Sequence, residues 1–188
     1  PEGTRLSHLR LDAQGHVNLL AARRHDSDRI DYRILSFDGN EPAGEQLYQE
    51  TLPQGQQLSP LGWLDSRRMI ILRSRLTPQR DHQVSLLEVR PGSAPVREVA
   101  SVEHAFPSTA MLDPAHGRVY LTIADGAVHH GLLIRLADGS ASRFTGTNLP
   151  GVTFADYRIV EDRGIVFVRQ QTNNDIWLVQ TDRQVEIR

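Results

Sequence analysis

Short apolar runs separated by polar tips recur in pairs along the 188-residue chain. In the clearest pair, the apolar run 165–168 is followed by a polar tip at 170–174 and a second apolar run at 176–179. Two β-rich runs joined by Asn-Asn-Asp predict a hairpin, because Asn and Asp adopt turn geometry at little cost. Helical spacing of apolar residues is repeatedly interrupted by Gly, Pro or β-branched residues. The chain is therefore predicted to be all-β.

An acidic turn precedes each pair of apolar runs and defines a repeat. The turn contains Asp12, Asp65, Asp113 and, in a looser form, Glu161. The preceding apolar residues, at 11, 64, 112 and 160, are spaced by 64 − 11 = 53, 112 − 64 = 48 and 160 − 112 = 48 residues. A period near 50 is typical of β-propeller blades with four strands each. We expect a single β-propeller domain over residues 1–188, with blades at approximately 4–52, 56–101, 104–146 and 152–188.

The strands within each predicted blade follow one order. Middle strands of packed blades are buried on both faces and are continuously apolar, whereas the outermost strand meets water and alternates. Pro60 lies inside one predicted innermost strand, which suggests that this strand begins later than residue 58. The innermost strands are predicted at 6–11, 58–64, 106–112 and 154–160; the second at 17–22, 69–72, 119–123 and 165–168; the third at 32–37, 84–89, 132–136 and 176–179; outer segments include 96–99 and 185–188.

The sequence Asn-Asp-Ile-Trp-Leu-Val at 174–179 resembles the start of the third strand in TolB-like β-propeller repeats. Asp31-Tyr32 matches less well, and residues 112–117 are the nearest approach to the Ser-Pro-Asp-Gly turn usual in that family. Such blades occur in TolB, in the propellers of prolyl-oligopeptidase-like enzymes and in extracytoplasmic parts of membrane-anchored winged-helix (CadC/ToxR-type) regulators. The Asp-Ile-Trp-Leu blade particularly resembles those of the regulators. The resemblance implies a bacterial, periplasmic or otherwise extracytoplasmic domain.

Composition narrows the classes of partner. The net charge of −2 provides no global field that would attract nucleic acid or an anionic membrane. Cysteine is absent, which excludes disulfides and thiol chemistry, and no apolar run approaches the ~20 residues of a membrane helix. Because the first residue is Pro1, the chain is expected to be a piece of a longer protein, attached to a membrane only through an anchor elsewhere.

Candidate chemistry is sparse. The chain has no Gly-x-Ser-x-Gly elbow and no glycine-rich phosphate loop, so no catalytic residue is predicted. Histidines and aspartates near the hairpin tips raise the alternative of a transition-metal site, but no local His spacing supports it, and no metal or cofactor is expected. These residues are His25, His82, His129 and His130 with Asp26, Asp28 and Asp81. The recurring acidic turn residues are interpreted as acceptors of backbone hydrogen bonds, not as calcium ligands.

An interaction surface is predicted on the hairpins between second and third strands, at 23–30, 73–83, 124–130 and 169–174. In a propeller the strands are buried by packing between blades, whereas the sequences of the loops are free to vary. The best basic patch combines Arg23, Arg24, Arg73, Arg75 and Arg80, whereas Trp63 and Trp177 are assigned to packing. The predicted binding residues are Arg24, His25, Arg75, Arg80, His82, His129, Asn173 and Asn174.

These features favour a non-enzymatic sensory or protein-interaction domain of a bacterial membrane-associated regulator. Its partner would be a protein or a small-molecule signal, and not nucleic acid. The alternative is an accessory propeller that gates or presents substrate to a prolyl-oligopeptidase-like hydrolase domain. Four blades lie at the lower limit for propeller closure. The ring is therefore expected to close alone, as part of a larger ring, or as a homodimer.

Overall fold

The structure is a computed structural model that describes residues 3–11, 15–38, 44–77, 82–92, 97–126, 128–143, 152–160, 164–171, 176–179 and 184–187. For residues 8–11, and for the described residues beyond 143, the description is limited to the backbone. Every described regular element is a β-strand, which confirms the all-β prediction. The strands are β1 (Thr4–Leu11), β2 (Val17–Arg24), β3 (Arg29–Phe37), β4 (Glu45–Pro53), β5 (Gln56–Trp63), β6 (Met69–Leu76), β7 (His82–Val89), β8 (Arg97–Val102), β9 (Ala105–Asp113), β10 (Arg118–Asp125), β11 (Val128–Arg135), β12 (Ala141–Arg143), β13 (Val152–Val160), β14 (Gly164–Gln171), β15 (Ile176–Val179) and β16 (Gln184–Ile187).

The strands form four sheets, each made of four strands that are consecutive in the sequence. Sheet 1 contains β1 to β4, sheet 2 contains β5 to β8, sheet 3 contains β9 to β12 and sheet 4 contains β13 to β16, in sequential spatial order. Strands with a defined register pair antiparallel. The chain divides into two compact units, residues 1–80 with 84–101 and residues 81–83 with 102–188. We refer to these as the first and second units.

In the first unit, sheets 1 and 2 share a hydrophobic core. Tyr32 and Ile34 of β3 join one buried cluster with Met69 and Ile71 of β6. Sheet 1 therefore packs face to face on sheet 2, which is the way that amphipathic sheets remove their apolar faces from water. All four residues at 69–72 are buried, as expected of a strand covered on both faces. Trp63 packs against the same cluster, which confirms its packing role; the side chain of Trp177 lies outside the described part.

The second unit has its own buried strands. Val119 and Leu121 of β10 and Ile134 of β11 are fully buried. The backbone of β13 contacts β9, β10 and β11. All three residues of the short β12, at the edge of sheet 3, are exposed. Its exposure agrees with the expectation that the outermost strand of each predicted blade is in contact with water.

The first strand of every sheet pairs irregularly with the second strand. In β1, Ser7 pairs with Leu20 and Arg10 with Asn18, so β1 uses one more residue than β2 over this interval. At the corresponding shifts β5 and β13 also use one residue more than their partners, and β9 uses three more. An extra residue in one strand is a β-bulge, which bends the strand and increases its twist. The four sheets thus share an irregularity as well as a strand order.

The bulge in β5 also corrects a prediction. Pro60 lies inside β5, which begins at Gln56 and therefore earlier, not later, than predicted. Pro60 pairs with Ile71, and the register shift follows immediately, before Gly62 pairs with Ile70. Because β5 is an edge strand with an interrupted ladder at this point, the missing N–H of proline is tolerated.

Candidate functional site

Two of the predicted binding residues lie at the β2–β3 hairpin tip, in the first unit. Arg24 is exposed, and its guanidinium donates hydrogen bonds to the backbone carbonyls of Asp26 (3.0 Å) and Ser27 (3.2 Å). His25 is also exposed, and its backbone N–H donates to the carbonyl of Arg29 at 3.0 Å. Arg24 therefore orders its own hairpin tip and remains accessible to a partner.

Arg75 lies in β6 of the same unit, where it is exposed and pairs with Gln56 of β5. The next residue, Leu76, is also exposed, and its backbone N–H donates to the carbonyl of Gly55 at 3.4 Å. Arg75 thus belongs to the end of a strand whose next residue is hydrogen-bonded to the β4–β5 turn.

His82 and His129 belong to the second unit, and both are half-buried. The ring of His129 contacts that of Phe106 edge to face, with centroids 5.0 Å apart. His82 has a buried Nδ1 with no hydrogen-bond partner in the described part of the chain. Both side chains are therefore less exposed to solvent than those of histidines in a solvated hairpin would be. Arg80, Asn173 and Asn174 lie outside the described residues, and the complete predicted surface stays a prediction.

The predicted hairpin boundaries were too wide. Arg24, Arg75, His82 and His129 lie in β2, β6, β7 and β11, not in loops. The apolar runs end before the strands do, because exposed polar residues continue to pair through their backbones. The apolar pattern of the sequence reflects which residues are buried, whereas the length of a strand depends on how far its backbone pairs with the neighbouring strand.

The acidic turns have the structural role that was predicted, where they are described. The Asp65 carboxylate accepts hydrogen bonds from the backbone N–H groups of Arg67 and Arg68, both at 2.9 Å. The Arg67 bond and the Arg68 guanidinium lower the pKa of Asp65. Asp113 accepts from the N–H of His116 at 3.2 Å, and its other oxygen lies 2.9 Å from His116 Nδ1. Asp12 and Glu161 lie outside the described residues.

His130 belongs to a charged cluster on sheet 3. Its Nε2 lies 3.8 Å from Asp125 Oδ2, which also accepts from Arg143 at 3.1 Å. Only 5% of His130 is exposed. Searched across the described residues, the chain presents no group of three or more His, Asp or Glu side chains placed to hold a metal ion.

Sequence reasoning missed a cavity of about 510 Å³ in the first unit, at the β2–β3 tip and the β4–β5 turn. Arg5, Arg24 and Arg29 line it, together with Tyr32 and Leu58. Register aligns part of this lining, because Arg5 pairs with Ala22 and Ala22 pairs with Tyr32, which places these three side chains on one face of sheet 1. Arg29 is the first residue of β3, next to the hairpin tip. No sequence motif marks this set, since its members come from four strands, β1, β2, β3 and β5.

A second cavity in the first unit, also about 510 Å³, has a different character. Its lining includes Trp63, Glu45, His16, Arg67 and Arg90, so both charge signs are present. The buried Nε1 of Trp63 has no hydrogen-bond partner in the described part. The charges in this lining do not favour one sign of ligand.

No protein-family model matches the chain, and no curated protein sequence matches it. The described ranges contain no helix with the length and hydropathy of a membrane span.

Proposed function

We propose that the four sheets are blades of a β-propeller, and that the chain is a non-enzymatic binding domain. The observation that carries the fold proposal is the sheet order: four consecutive strands form each sheet, four times in succession. Within the first unit β1 contacts β5, and within the second β9 contacts β13, so first strands of successive sheets approach each other. Propellers bring the innermost strands of neighbouring blades together around an axis.

The binding role is supported by the surface chemistry of the first unit. Its hairpin tip and strand ends carry exposed Arg24, His25 and Arg75, and an arginine-lined cavity opens beside them. Exposed loops on a rigid scaffold are common positions for recognition. These side chains suit an anionic partner surface or ligand, since guanidinium groups donate paired hydrogen bonds to carboxylates.

The biological setting is proposed from the resemblance of residues 174–179 to TolB-like blades. We place the domain in the bacterial periplasm, as the sensory or protein-interaction part of a membrane-associated regulator. The decisive observation is the full-length coding sequence. A winged-helix domain followed by one transmembrane segment upstream of these residues would support the regulator. An adjoining α/β-hydrolase domain would overturn it and favour the accessory-propeller alternative.

The predicted surface has a direct test. Replacing Arg75 and Arg80 with Glu reverses two charges, which is expected to weaken binding of an acidic partner by like-charge repulsion. The matched control is Arg135→Glu, at an exposed position in β11. A pull-down and a thermal melt are made on each variant. Unchanged binding with an unchanged melting temperature would remove the surface from consideration, whereas lost folding of the double variant would assign these arginines to structure.

A further inference from the structure

We propose that the arginine-lined cavity of the first unit binds a small organic carboxylate. Arg5, Arg24 and Arg29 would receive the carboxylate, and the apolar body of the ligand would lie on the half-buried side chains of Ala22 and Ile30. The inference goes beyond the proposed function and does not depend on it, because it concerns a site contained within sheets 1 and 2.

The first argument is charge. Among the described residues, the lining contains three arginines and no Asp or Glu. Within the described part of the chain, the guanidinium groups of Arg5 and Arg29 form no hydrogen bond or ion pair. Arginines on protein surfaces usually find carboxylates or solvent, and three around one cavity repel one another. A bound carboxylate relieves that repulsion and can accept two parallel hydrogen bonds from one guanidinium.

The second argument is the floor of the cavity. Leu20 and Leu58 are 2% and 1% exposed, and both line the cavity. Because these two side chains leave almost no accessible surface, the apolar surface open to a ligand belongs chiefly to the half-buried Ile30 and Ala22. A volume of about 510 Å³ lies within the range of small-molecule sites, which are mostly apolar with a few placed polar groups. An inorganic anion would use the arginines and leave this apolar surface uncovered, so the lining favours an organic anion.

The third argument is preorganisation of the rim. The guanidinium of Arg24 is fixed by the carbonyls of Asp26 and Ser27. The N–H of Gln54 donates to the carbonyl of Asp28 at 2.6 Å, which ties the β4–β5 turn to the β2–β3 tip. The Tyr32 hydroxyl donates to the carbonyl of Gln56 at 3.0 Å. A rim fixed before binding loses less conformational entropy when the ligand arrives.

The test is calorimetric titration of the 188-residue chain with hydrocinnamate, which carries one carboxylate and one phenyl ring. We expect saturable one-to-one binding. Arg5→Gln and Arg29→Gln should each weaken it at least about tenfold, as expected for loss of a charge-assisted hydrogen bond. The matched control is Arg23→Gln. Arg23 neighbours Arg24 in the same strand and is not among the described residues that line the cavity. It should bind with unchanged affinity.

Two further probes define the ligand class. Hydrocinnamyl alcohol, which keeps the ring and lacks the charge, should not compete; equal binding of the alcohol would overturn the role of the arginines. Inorganic phosphate should compete weakly, and displacement as effective as that by hydrocinnamate would overturn the organic class. Absence of saturable binding, or equal losses in Arg23→Gln and Arg29→Gln, would refute the site. A thermal melt of each variant shows whether it is folded. If Arg29→Gln does not fold, Arg5→Gln replaces it as the variant that tests the site.

Discussion

The hydroxyl of Thr109 in β9 accepts a hydrogen bond from the backbone N–H of Thr122 in β10 at 2.8 Å, and donates its own to the carbonyl of Phe106 at 2.8 Å. It lies where the register slips: Phe106 pairs with Thr122, but the next defined pair is Met111 with Tyr120. The Thr109 hydroxyl therefore takes the place of a backbone carbonyl as the hydrogen-bond acceptor for Thr122, a residue that is 1% exposed. The two hydrogen bonds of the Thr109 hydroxyl thus compensate for the irregular pairing of β9.

Thr109→Val removes this hydroxyl at nearly constant volume. It leaves a buried N–H on Thr122 without its acceptor, so we expect a loss of about 1–3 kcal/mol in the free energy of unfolding. Thr109→Ser keeps the hydroxyl and is the matched control, with a smaller loss. Urea denaturation of both variants measures the difference. Equal stabilities would mean that water or another group replaces the hydroxyl.

Tyr48, Glu50 and Arg73 form a cluster that joins sheet 1 to sheet 2. Arg73 forms an ion pair with Glu50, and the Tyr48 hydroxyl donates to Glu50 Oε2 at 2.9 Å. Burial, with a contribution from Glu50, raises the pKa of Tyr48 to about 12, from 10.0. The folded protein thus favours the neutral form of the Tyr48 phenol over the ionised form more strongly than the unfolded chain does.

The stability that Tyr48 contributes is therefore fully present below pH 10 and is lost as the pH rises towards about 12. After allowance for partial exposure, the fall should be about 1 kcal/mol. Tyr48→Phe should flatten this part of the stability–pH curve, measured by denaturation at stepped pH. An equally steep fall in Tyr48→Phe would assign the effect to Tyr32 or Tyr120, whose pKa values are also raised by burial.

Asp113 should contribute more to stability than its counterpart in sheet 2. Asp113 is 2% exposed and its carboxylate is bonded to His116, so Asp113→Ala removes buried acceptor oxygens together with their hydrogen bonds and should cost about 1–3 kcal/mol. Asp65→Ala, in the exposed turn, should cost less. Thermal melts of the two variants provide the comparison. A larger loss at Asp65 would contradict burial as the deciding factor.

The same turn predicts an acid effect. Because the folded pKa of Asp65 lies below its usual 3.8, the contribution of the carboxylate is present above that pH and is lost as the pH falls through the folded value. Asp65→Asn should remove this pH dependence and keep one oxygen acceptor for the turn. Acid denaturation followed by circular dichroism measures it, and an unchanged profile in Asp65→Asn would assign the acid transition to other carboxylates.

Leu58 and Leu6 provide a paired test of the sheet 1–sheet 2 core. Leu58 is 1% exposed and belongs to the shared cluster, so Leu58→Ala should cost about 2–5 kcal/mol. Leu6, in β1, is 62% exposed, and Leu6→Ala should stay within about 0.5 kcal/mol. Denaturant titration compares the two. A large loss at Leu6 would mean that this face of β1 is covered in solution.

The sequence predicts strands better than sites in this protein. The apolar run at 69–72 predicts β6 correctly, because burial on both faces leaves a continuous pattern. The cavity could not be predicted in the same way. Arg5 and Arg29 are far apart in sequence, and their proximity depends on the register of β1 to β3, which an alternating pattern alone does not fix once β1 contains a bulge.

The shared bulge also limits how these sheets can be recombined in engineered chimeras. In β1, Ser7 and Arg10 pair with Leu20 and Asn18, two residues that occupy the same face of β2, although Ser7 and Arg10 differ by an odd number of positions. Removing one residue from this interval would therefore restore one-to-one pairing between β1 and β2 and abolish the bend and the added twist of the bulge. A first strand transplanted between sheets must carry its extra residues with it, and the natural crossover points lie in the connections between sheets.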